Sequence, residues 1–182
     1  MLALVVGGSG SGKSAWAEGL CARLGGPLRY VATMRPEGPE ALARIERHRA
    51  QRAGRGFTTL ECQGALEACA AEVAGATVLV DCIGNAVSNL MFSPAAQDGA
   101  LQMRPADEVA AAVVAGMAAL AAQAAHVVAV SNDVSGDGVA YDAPTVAYVD
   151  AIARVNRELA AMSELAVEVV CGLAVTLKGE AL

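Results

Sequence analysis

The chain has 182 residues, enough for one domain over residues 1–182 with a sizeable core, which must be aliphatic because 55% of the residues are hydrophobic and 3% aromatic. A net charge of −6 argues against general affinity for nucleic acid or anionic membranes. The five cysteines show no C-x-x-C spacing, which indicates buried, reduced thiols in a cytoplasmic protein and neither disulfides nor zinc. No signal peptide is expected, because the first apolar run is five residues long.

Short β-branched runs alternate along the chain with longer alanine-rich stretches. The short runs predict strands at Ala3–Val6, Leu28–Ala32, Thr58–Leu60, Thr77–Val80, His126–Val130, Glu168–Cys171 and Ala174–Leu177. The longer stretches predict helices at Lys13–Leu24, Pro39–Arg52, Gly64–Val73, Gly84–Phe92, Ala106–Ala124 and Thr145–Ser163. This alternation predicts an α/β fold, with a mostly parallel sheet, helices on both of its faces and an antiparallel C-terminal edge.

Two segments need separate interpretation. From Val109 to Ser131 no Asp, Glu, Lys or Arg occurs and His126 is the one histidine, and this length suits a membrane span. Most of the segment is alanine, so we predict a buried helix followed by a strand and no membrane span. Ser93–Pro105 contains two prolines and no periodicity, which predicts a surface loop.

The stretch Gly7–Ser14 reads GGSGSGKS and matches the pattern G-x-x-x-x-G-K-[ST] in full. It lies between a predicted strand and a predicted helix, where the backbone N–H groups of such a loop hold phosphate oxygens. In this interpretation Lys13 reaches the β and γ phosphates and Ser14 ligates Mg²⁺. The stretch predicts a P-loop NTPase-like nucleotide site, and the alternative is a glycine-rich turn without a ligand.

A loop of this kind needs an acidic residue at the end of a neighbouring strand to hold magnesium, directly or through water. Asp81 follows the apolar run Val78–Val80 and supplies that residue. An acid after an apolar strand is by itself more often a helix cap or a turn residue. Beside a complete phosphate loop, Asp81 is the favoured magnesium partner.

A basic cluster interrupts the acidic chain between Arg44 and Arg55. In a helix, Arg44, His48 and Arg52 share one side. The neighbouring guanidinium groups should lower the pKa of the His48 imidazole and keep it neutral, as a nucleophile requires. The alternative is a solvated basic face with an idle histidine. The other histidine, His126, opens an apolar strand and is predicted to be structural. The cluster holds five of the chain's 13 basic residues: Arg44, Arg47, Arg49, Arg52 and Arg55.

The chain resembles the bifunctional adenosylcobinamide kinase/adenosylcobinamide-phosphate guanylyltransferases of adenosylcobalamin biosynthesis, nearly from end to end. The R-I-x-x-H segment after R-Y-V-A-T is far more specific than the phosphate loop. The matching pieces are LVVGGSGSGKS (Leu4–Ser14), RYVAT (Arg29–Thr33), ARIERHR (Ala43–Arg49), TLE (Thr59–Glu61), VLVDCIGNAVSNLMF (Val78–Phe92), VSND (Val130–Asp133), ARVNRELA (Ala153–Ala160) and GLAVTLKG (Gly172–Gly179).

The resemblance implies two reactions. Such enzymes phosphorylate adenosylcobinamide with ATP or GTP, and then transfer GMP from GTP to adenosylcobinamide phosphate through a guanylylated histidine, which corresponds to His48. The family usually has Glu at the position of Asp81, and it implies a homotrimer with the active site near a subunit boundary. The resemblance also implies that Lys13 is a catalytic residue. The nucleotide contacts that carry over are Gly7, Gly8, Ser9, Gly10, Ser11, Gly12, Lys13, Ser14, Ala32, Thr33, Met34, Arg49, Ala50, Gln51, Arg52, Glu61 and Asp81.

Two other functions stay open on the residues alone. One is a P-loop small-molecule kinase without guanylyl transfer, in which His48 is idle. The other is a nucleotide-dependent switch or regulatory ATPase with no small-molecule acceptor. Covalent labelling of the protein by GTP distinguishes the two-reaction enzyme from both of these alternatives.

Overall fold

The structure of the protein, a computed structural model, describes residues 1–94, 101–134 and 138–180. Its helices are α1 (Lys13–Leu24), α2 (Gly38–Arg52), α3 (Ile83–Met91), α4 (Ala106–Gln123) and α5 (Ala143–Met162), with a 3₁₀ helix at Leu66–Val73. Its strands are β1 (Leu2–Gly7), β2 (Leu28–Ala32), β3 (Phe57–Glu61), β4 (Thr77–Asp81), β5 (Phe92–Pro94), β6 (Leu101–Met103), β7 (His126–Asn132), β8 (Leu165–Val170) and β9 (Leu173–Lys178).

Seven strands form one sheet in the order β3-β2-β4-β7-β1-β8-β9, and every neighbouring pair is parallel except β8 and β9. Helix α1 covers one face, and α3, α4 and α5 cover the other. Alternate residues of a strand serve opposite faces, so Val5 of β1 packs under α1 while Leu4 joins the core under the other three helices. The predicted α/β fold with its antiparallel C-terminal edge is confirmed.

Helix α4 is the uncharged segment that suits a membrane span by length and composition. Its side bearing Val109, Val113 and Met117 is buried, and it packs against the 3₁₀ helix, α3 and α5. At Gly116 an added Cβ would lie 2.8 Å from the Cβ of Leu66, so the two elements approach closely. The predicted helix followed by a strand is confirmed, with the strand at His126–Asn132.

Three sequence predictions are corrected. The α-helix expected at Gly64–Val73 is a 3₁₀ helix at Leu66–Val73, in which i→i+3 bonding places Leu66 and Cys69 on the buried side. The loop expected at Ser93–Pro105 contains the antiparallel pair β5–β6, whose three-residue strands are too short to show an alternating pattern; residues 95–100 lie outside the described residues. The cysteines are free thiols, but Cys82 is only half-buried and Cys171 is exposed.

The C-terminal hairpin leaves an apolar stripe in solvent. Leu173, Val175 and Leu177 alternate along β9, share one face, and are 73%, 50% and 60% exposed. On the other face the Nζ of Lys178 donates to the carbonyl oxygens of Ala160 and Ala161 at the end of α5. Because β9 is also the last strand of the sheet, this hairpin presents both apolar side chains and an open strand edge.

Candidate active site

The phosphate loop joins the end of β1 to the start of α1, and its glycines are required by geometry. Gly10 and Gly12 have φ angles of 73° and 93°, a region that side-chain-bearing residues rarely adopt. At Gly7 an added Cβ would lie 2.5 Å from the carbonyl oxygen of Val169. The loop also touches the β8–β9 turn, where the N–H of Gly172 donates to the carbonyl oxygen of Ser11 at 2.8 Å.

Lys13 is the first residue of α1, where the helix dipole and free N–H groups favour an anion. Its side chain is buried, and its Nζ donates to the carbonyl oxygen of Gly8 at 3.0 Å. Burial lowers the pKa of Lys13, while the nearby Cys82 and Asp81 oppose that shift. A buried ammonium held over the loop is placed to meet a phosphate group.

The carboxyl ends of four parallel strands meet around this loop, as expected for the ligand-binding edge of such a sheet. They enclose a pocket of about 460 Å³ together with α2. The predicted site residues that line it are Ser9, Gly10, Ser11, Gly12, Lys13, Ser14, Ala32, Met34, His48, Arg49, Gln51, Arg52, Glu61 and Asp81. The phosphate loop and the histidine helix, predicted from separate motifs, therefore form the walls of one pocket.

Four of the predicted nucleotide-binding residues are not part of the pocket lining: Gly7, Gly8, Thr33 and Ala50. Thr33 is fully buried and has a different set of contacts. Its hydroxyl donates to the carbonyl oxygen of Cys82 and accepts from the N–H of Cys82, both at 2.8 Å. Its own carbonyl oxygen accepts from the Nδ2 of Asn89 at 2.7 Å. Thr33 thus fixes the backbone directly after Asp81.

His48 lies on the pocket side of α2, with Arg44 and Arg52 on the same side as the spacing predicted. The ring is half-buried, and its Nδ1 has no hydrogen-bond partner among the described residues. The pKa of His48 is lowered, first by burial and then by Arg52, Arg44 and Arg47, against an opposing effect of Asp81. The predicted direction of the shift is right, but burial precedes the arginines as its cause.

Helix α2 is anchored at its C-terminal end. Arg52 is the buried residue of this helix, and its guanidinium carbon lies 3.3 Å from the centre of the Tyr30 ring. Just beyond the helix, the Nη1 of Arg55 lies 2.9 Å from the Oε2 of the buried Glu18. These contacts hold the helix one turn after His48, whereas the exposed pairs of Arg49 with Glu46 and Glu61 add little.

Asp81 ends β4 at the base of the pocket. Its Oδ2 is buried and has no hydrogen-bond partner among the described residues. Burial, with Asp81 adding to it, raises the pKa of the neighbouring Tyr30 phenol, which stays neutral. Tyr30 therefore lies between the Asp81 carboxylate and the Arg52 anchor, a position that the sequence patterns did not indicate.

Comparison with known proteins identifies the family of this chain. The model of the family described as cobinamide kinase/cobinamide phosphate guanyltransferase matches residues 3–177. The chain belongs to this family. It is 32% identical over 183 residues to the bifunctional adenosylcobalamin biosynthesis protein CobP of Pseudomonas aeruginosa, with 98% of each chain covered. It is also 33% identical to two bifunctional adenosylcobalamin biosynthesis proteins called CobU, over 186 residues for the one from Salmonella typhimurium and over 183 residues for the one from Escherichia coli. Each of these matches covers 98% of this chain and 100% of the relative.

Membership of the cobinamide kinase/cobinamide phosphate guanyltransferase family confirms the resemblance drawn from the motifs. Several pocket residues were not among the predicted contacts, notably Asn85 of α3 and Asn132 at the end of β7. Hydrogen bonds hold the backbone at both places. Asn156 donates to the carbonyl oxygen of Asn132, and Tyr148 donates to that of Gly84, the residue before Asn85. The sequence signal that could have identified these two asparagines is their position after apolar strands, which also identified Asp81.

Proposed function

We propose that the protein phosphorylates adenosylcobinamide with ATP or GTP, and then transfers GMP from GTP to adenosylcobinamide phosphate. The products of the second reaction are adenosylcobinamide-GDP and pyrophosphate. The family match supports both activities. The observation that carries the proposal is that Lys13 of the phosphate loop and His48 of α2 line one pocket. A nucleotide held at the loop is therefore within the same enclosure as the imidazole.

The guanylyl transfer proceeds in two displacements. A nitrogen of the neutral His48 attacks the α phosphorus of GTP, the bond to the bridging oxygen breaks, and pyrophosphate leaves. The attack uses the lone pair of that nitrogen and the other ring nitrogen keeps its proton, so the ring can leave again as a neutral imidazole in the second step. An oxygen of adenosylcobinamide phosphate then attacks the same phosphorus and releases the histidine. Arg44 and Arg52, on the same side of the helix, supply positive charge to the phosphate oxygens in both steps.

The phosphorylation step requires positioning and charge stabilisation of the γ phosphoryl group. Lys13 provides a buried cation at the loop, and the N-terminus of α1 faces the same phosphates. The acceptor hydroxyl of adenosylcobinamide enters from the open side of the pocket.

Ser14 and Asp81 are the residues that would hold Mg²⁺. The buried and unpartnered Oδ2 of Asp81 fits this role, as does the hydroxyl of Ser14 in the pocket lining. Among the described residues there is no group of three or more His, Cys, Asp and Glu, so phosphate oxygens and water would complete the shell. When bound, Mg²⁺ neutralises charge on the triphosphate and on the leaving pyrophosphate.

Labelling with GTP tests the proposed function. Incubation with GTP labelled at the α phosphorus is expected to leave label on the protein that is lost in acid and stable in base, as for a phosphoramidate. Addition of adenosylcobinamide phosphate should then move the label into adenosylcobinamide-GDP. Phosphorylation of adenosylcobinamide by γ-labelled ATP without any labelled protein would instead identify a kinase that lacks guanylyl transfer.

The pH dependence of guanylylation follows from the environment of His48. The neutral imidazole reacts, and its lowered pKa keeps it neutral below the ordinary value of 6.5, so we expect the rate to fall only at lower pH. Arg52→Gln removes a cation that lowers this pKa, and the fall should move to higher pH. The measurement is single-turnover labelling at saturating GTP across this pH range. Arg49→Gln is the control, and an equal shift in both variants would contradict the assignment.

We also propose that the protein is a homotrimer of single catalytic domains spanning residues 1–182 and located in the cytoplasm. The free cysteines suit a reducing compartment. The exposed stripe of Leu173, Val175 and Leu177 suits a subunit contact. Replacing Leu173 and Leu177 together by Asp should lower the mass in light scattering, whereas Val146→Asp, also at an exposed apolar residue, should not. A wild-type monomer at all concentrations would contradict this proposal.

A further inference from the structure

A second pocket of about 490 Å³ adjoins the nucleotide pocket. It lies between α2, which contributes Glu40 and Arg44, and α3, which contributes Asn85 and Ser88. Arg44, Asn85 and Met34 line both pockets. The two pockets are therefore adjacent, and they share Arg44, which lies one helical turn before His48.

We propose that this second pocket binds the acceptor, with the phosphate of adenosylcobinamide phosphate at Arg44 and Asn85 and the amide-bearing rim of the corrin ring along Glu40 and Ser88. The inference rests on the proposed function and adds to it the site of the second substrate. The nucleotide must occupy the first pocket, because the phosphate loop is there. The acceptor must approach the guanylylated histidine from a neighbouring space, and the second pocket adjoins the first at Arg44, one helical turn from His48.

Charge supports this placement of the acceptor phosphate. Arg44 is one helical turn before His48 and on the same side, so a phosphate paired with its guanidinium lies next to the phosphorus carried by the imidazole. The other basic groups near His48 face the nucleotide pocket, with Arg52 held against Tyr30. Arg44 is therefore the cation shared by the two substrates.

The polar walls of the pocket match the periphery of a corrinoid. A corrin ring carries primary carboxamide side chains, each of which offers two N–H donors and a carbonyl acceptor. Glu37 and Glu40 accept hydrogen bonds, Asn85 and Ser88 both donate and accept, and Arg35 donates. Part of the lining is apolar and includes Phe92, so the pocket suits a ligand that combines amides with a hydrocarbon ring.

Hydrogen bonds connect the far wall of the second pocket to the backbone beside the first pocket. The Nη2 of Arg35 donates to the carbonyl oxygen of Asn89 at 3.3 Å, and the Nδ2 of Asn89 donates to the carbonyl oxygen of Thr33 at 2.7 Å. Thr33 in turn holds the backbone of Cys82 beside Asp81. These linked hydrogen bonds keep the two pockets in a constant relation, as a transfer between two bound substrates requires.

Filling the second pocket with a tryptophan tests the inference. Ser88→Trp is expected to weaken binding of adenosylcobinamide by at least about tenfold, measured by equilibrium dialysis with detection of corrin absorption. It should leave labelling by α-labelled GTP unchanged, because Ser88 does not line the nucleotide pocket. Glu40→Trp, at an exposed residue of the opposite wall, repeats the test if Ser88→Trp fails to fold. Ala122→Trp, at an exposed residue of α4 outside both pockets, is the matched control.

The outcomes separate this inference from the proposed function. Unchanged corrinoid binding in both pocket variants would overturn the inference. Loss of GTP labelling with intact corrinoid binding would show that the second pocket holds nucleotide, and would overturn it as well. Absence of label on the wild-type protein would instead contradict the covalent mechanism, while the dialysis result would still decide where the corrinoid binds.

Discussion

His48→Ala is expected to reduce GMP transfer by at least about 10³-fold while the phosphorylation of adenosylcobinamide continues. In the proposed mechanism the imidazole supplies the nitrogen of the phosphorus–nitrogen bond, and no other histidine lines the pocket among the described residues. In the same mechanism the phosphate loop positions the γ phosphoryl group, and the substitution leaves the loop unchanged. The two activities, measured separately with α-labelled GTP and γ-labelled ATP, should therefore separate in this variant.

The chain offers a matched control in its other histidine. His126 opens β7 beside the short connection from α4, away from the pocket lining. His126→Gln should keep both activities, with any loss confined to thermal stability. Label that persists undiminished on the His48→Ala protein would refute the nucleophile assignment and favour a kinase in which the histidine has no chemical role.

Lys13→Ala is expected to lower both activities by about 10² to 10³-fold, the usual cost of removing one group that stabilises the transition state. Lys13 is buried at the loop, and in the proposed mechanism both reactions use a triphosphate held there. Lys13→Arg should not restore activity, because the larger planar guanidinium does not occupy the space of a compact ammonium. Steady-state rates of both reactions for the two variants check this prediction.

Lys178 is the only other lysine of the chain and serves as the control for charge. Its Nζ caps carbonyl oxygens at the end of α5, far from the phosphate loop in the fold. Lys178→Ala should reduce the thermal midpoint slightly and leave both activities in place. If Lys13→Ala abolished phosphorylation but left GMP transfer intact, the two reactions would use different nucleotide sites, contrary to the proposal.

Most features of the site could be predicted from local patterns in the sequence. The phosphate loop is specified by Gly10, Gly12 and Lys13 within a single turn of chain, and the shared face of Arg44 and His48 follows from helical spacing. Parallel strands bring their carboxyl ends together, so the proximity of Asp81 to the loop could also be expected.

Features that depend on packing between distant elements were not predictable. The hydroxyl of Thr33 binds the backbone of Cys82, 49 positions away, and no periodicity in the sequence indicates such a contact. The position of Tyr30 between Asp81 and Arg52 depends on the register of β2 beside β4. The pair β5–β6 depends on pairing of two short strands, and each strand alone is indistinguishable from a loop.

The contact of Arg52 with Tyr30 also constrains the length of the chain. The imidazole lies four positions, about one turn of helix, before the point where α2 is attached to the sheet. One residue inserted between them would rotate the ring by about 100° around the helix axis, away from the triphosphate. An insertion ahead of Arg44 would leave that orientation intact. Related chains should therefore tolerate gaps before the histidine and none between it and the arginine that follows four places later.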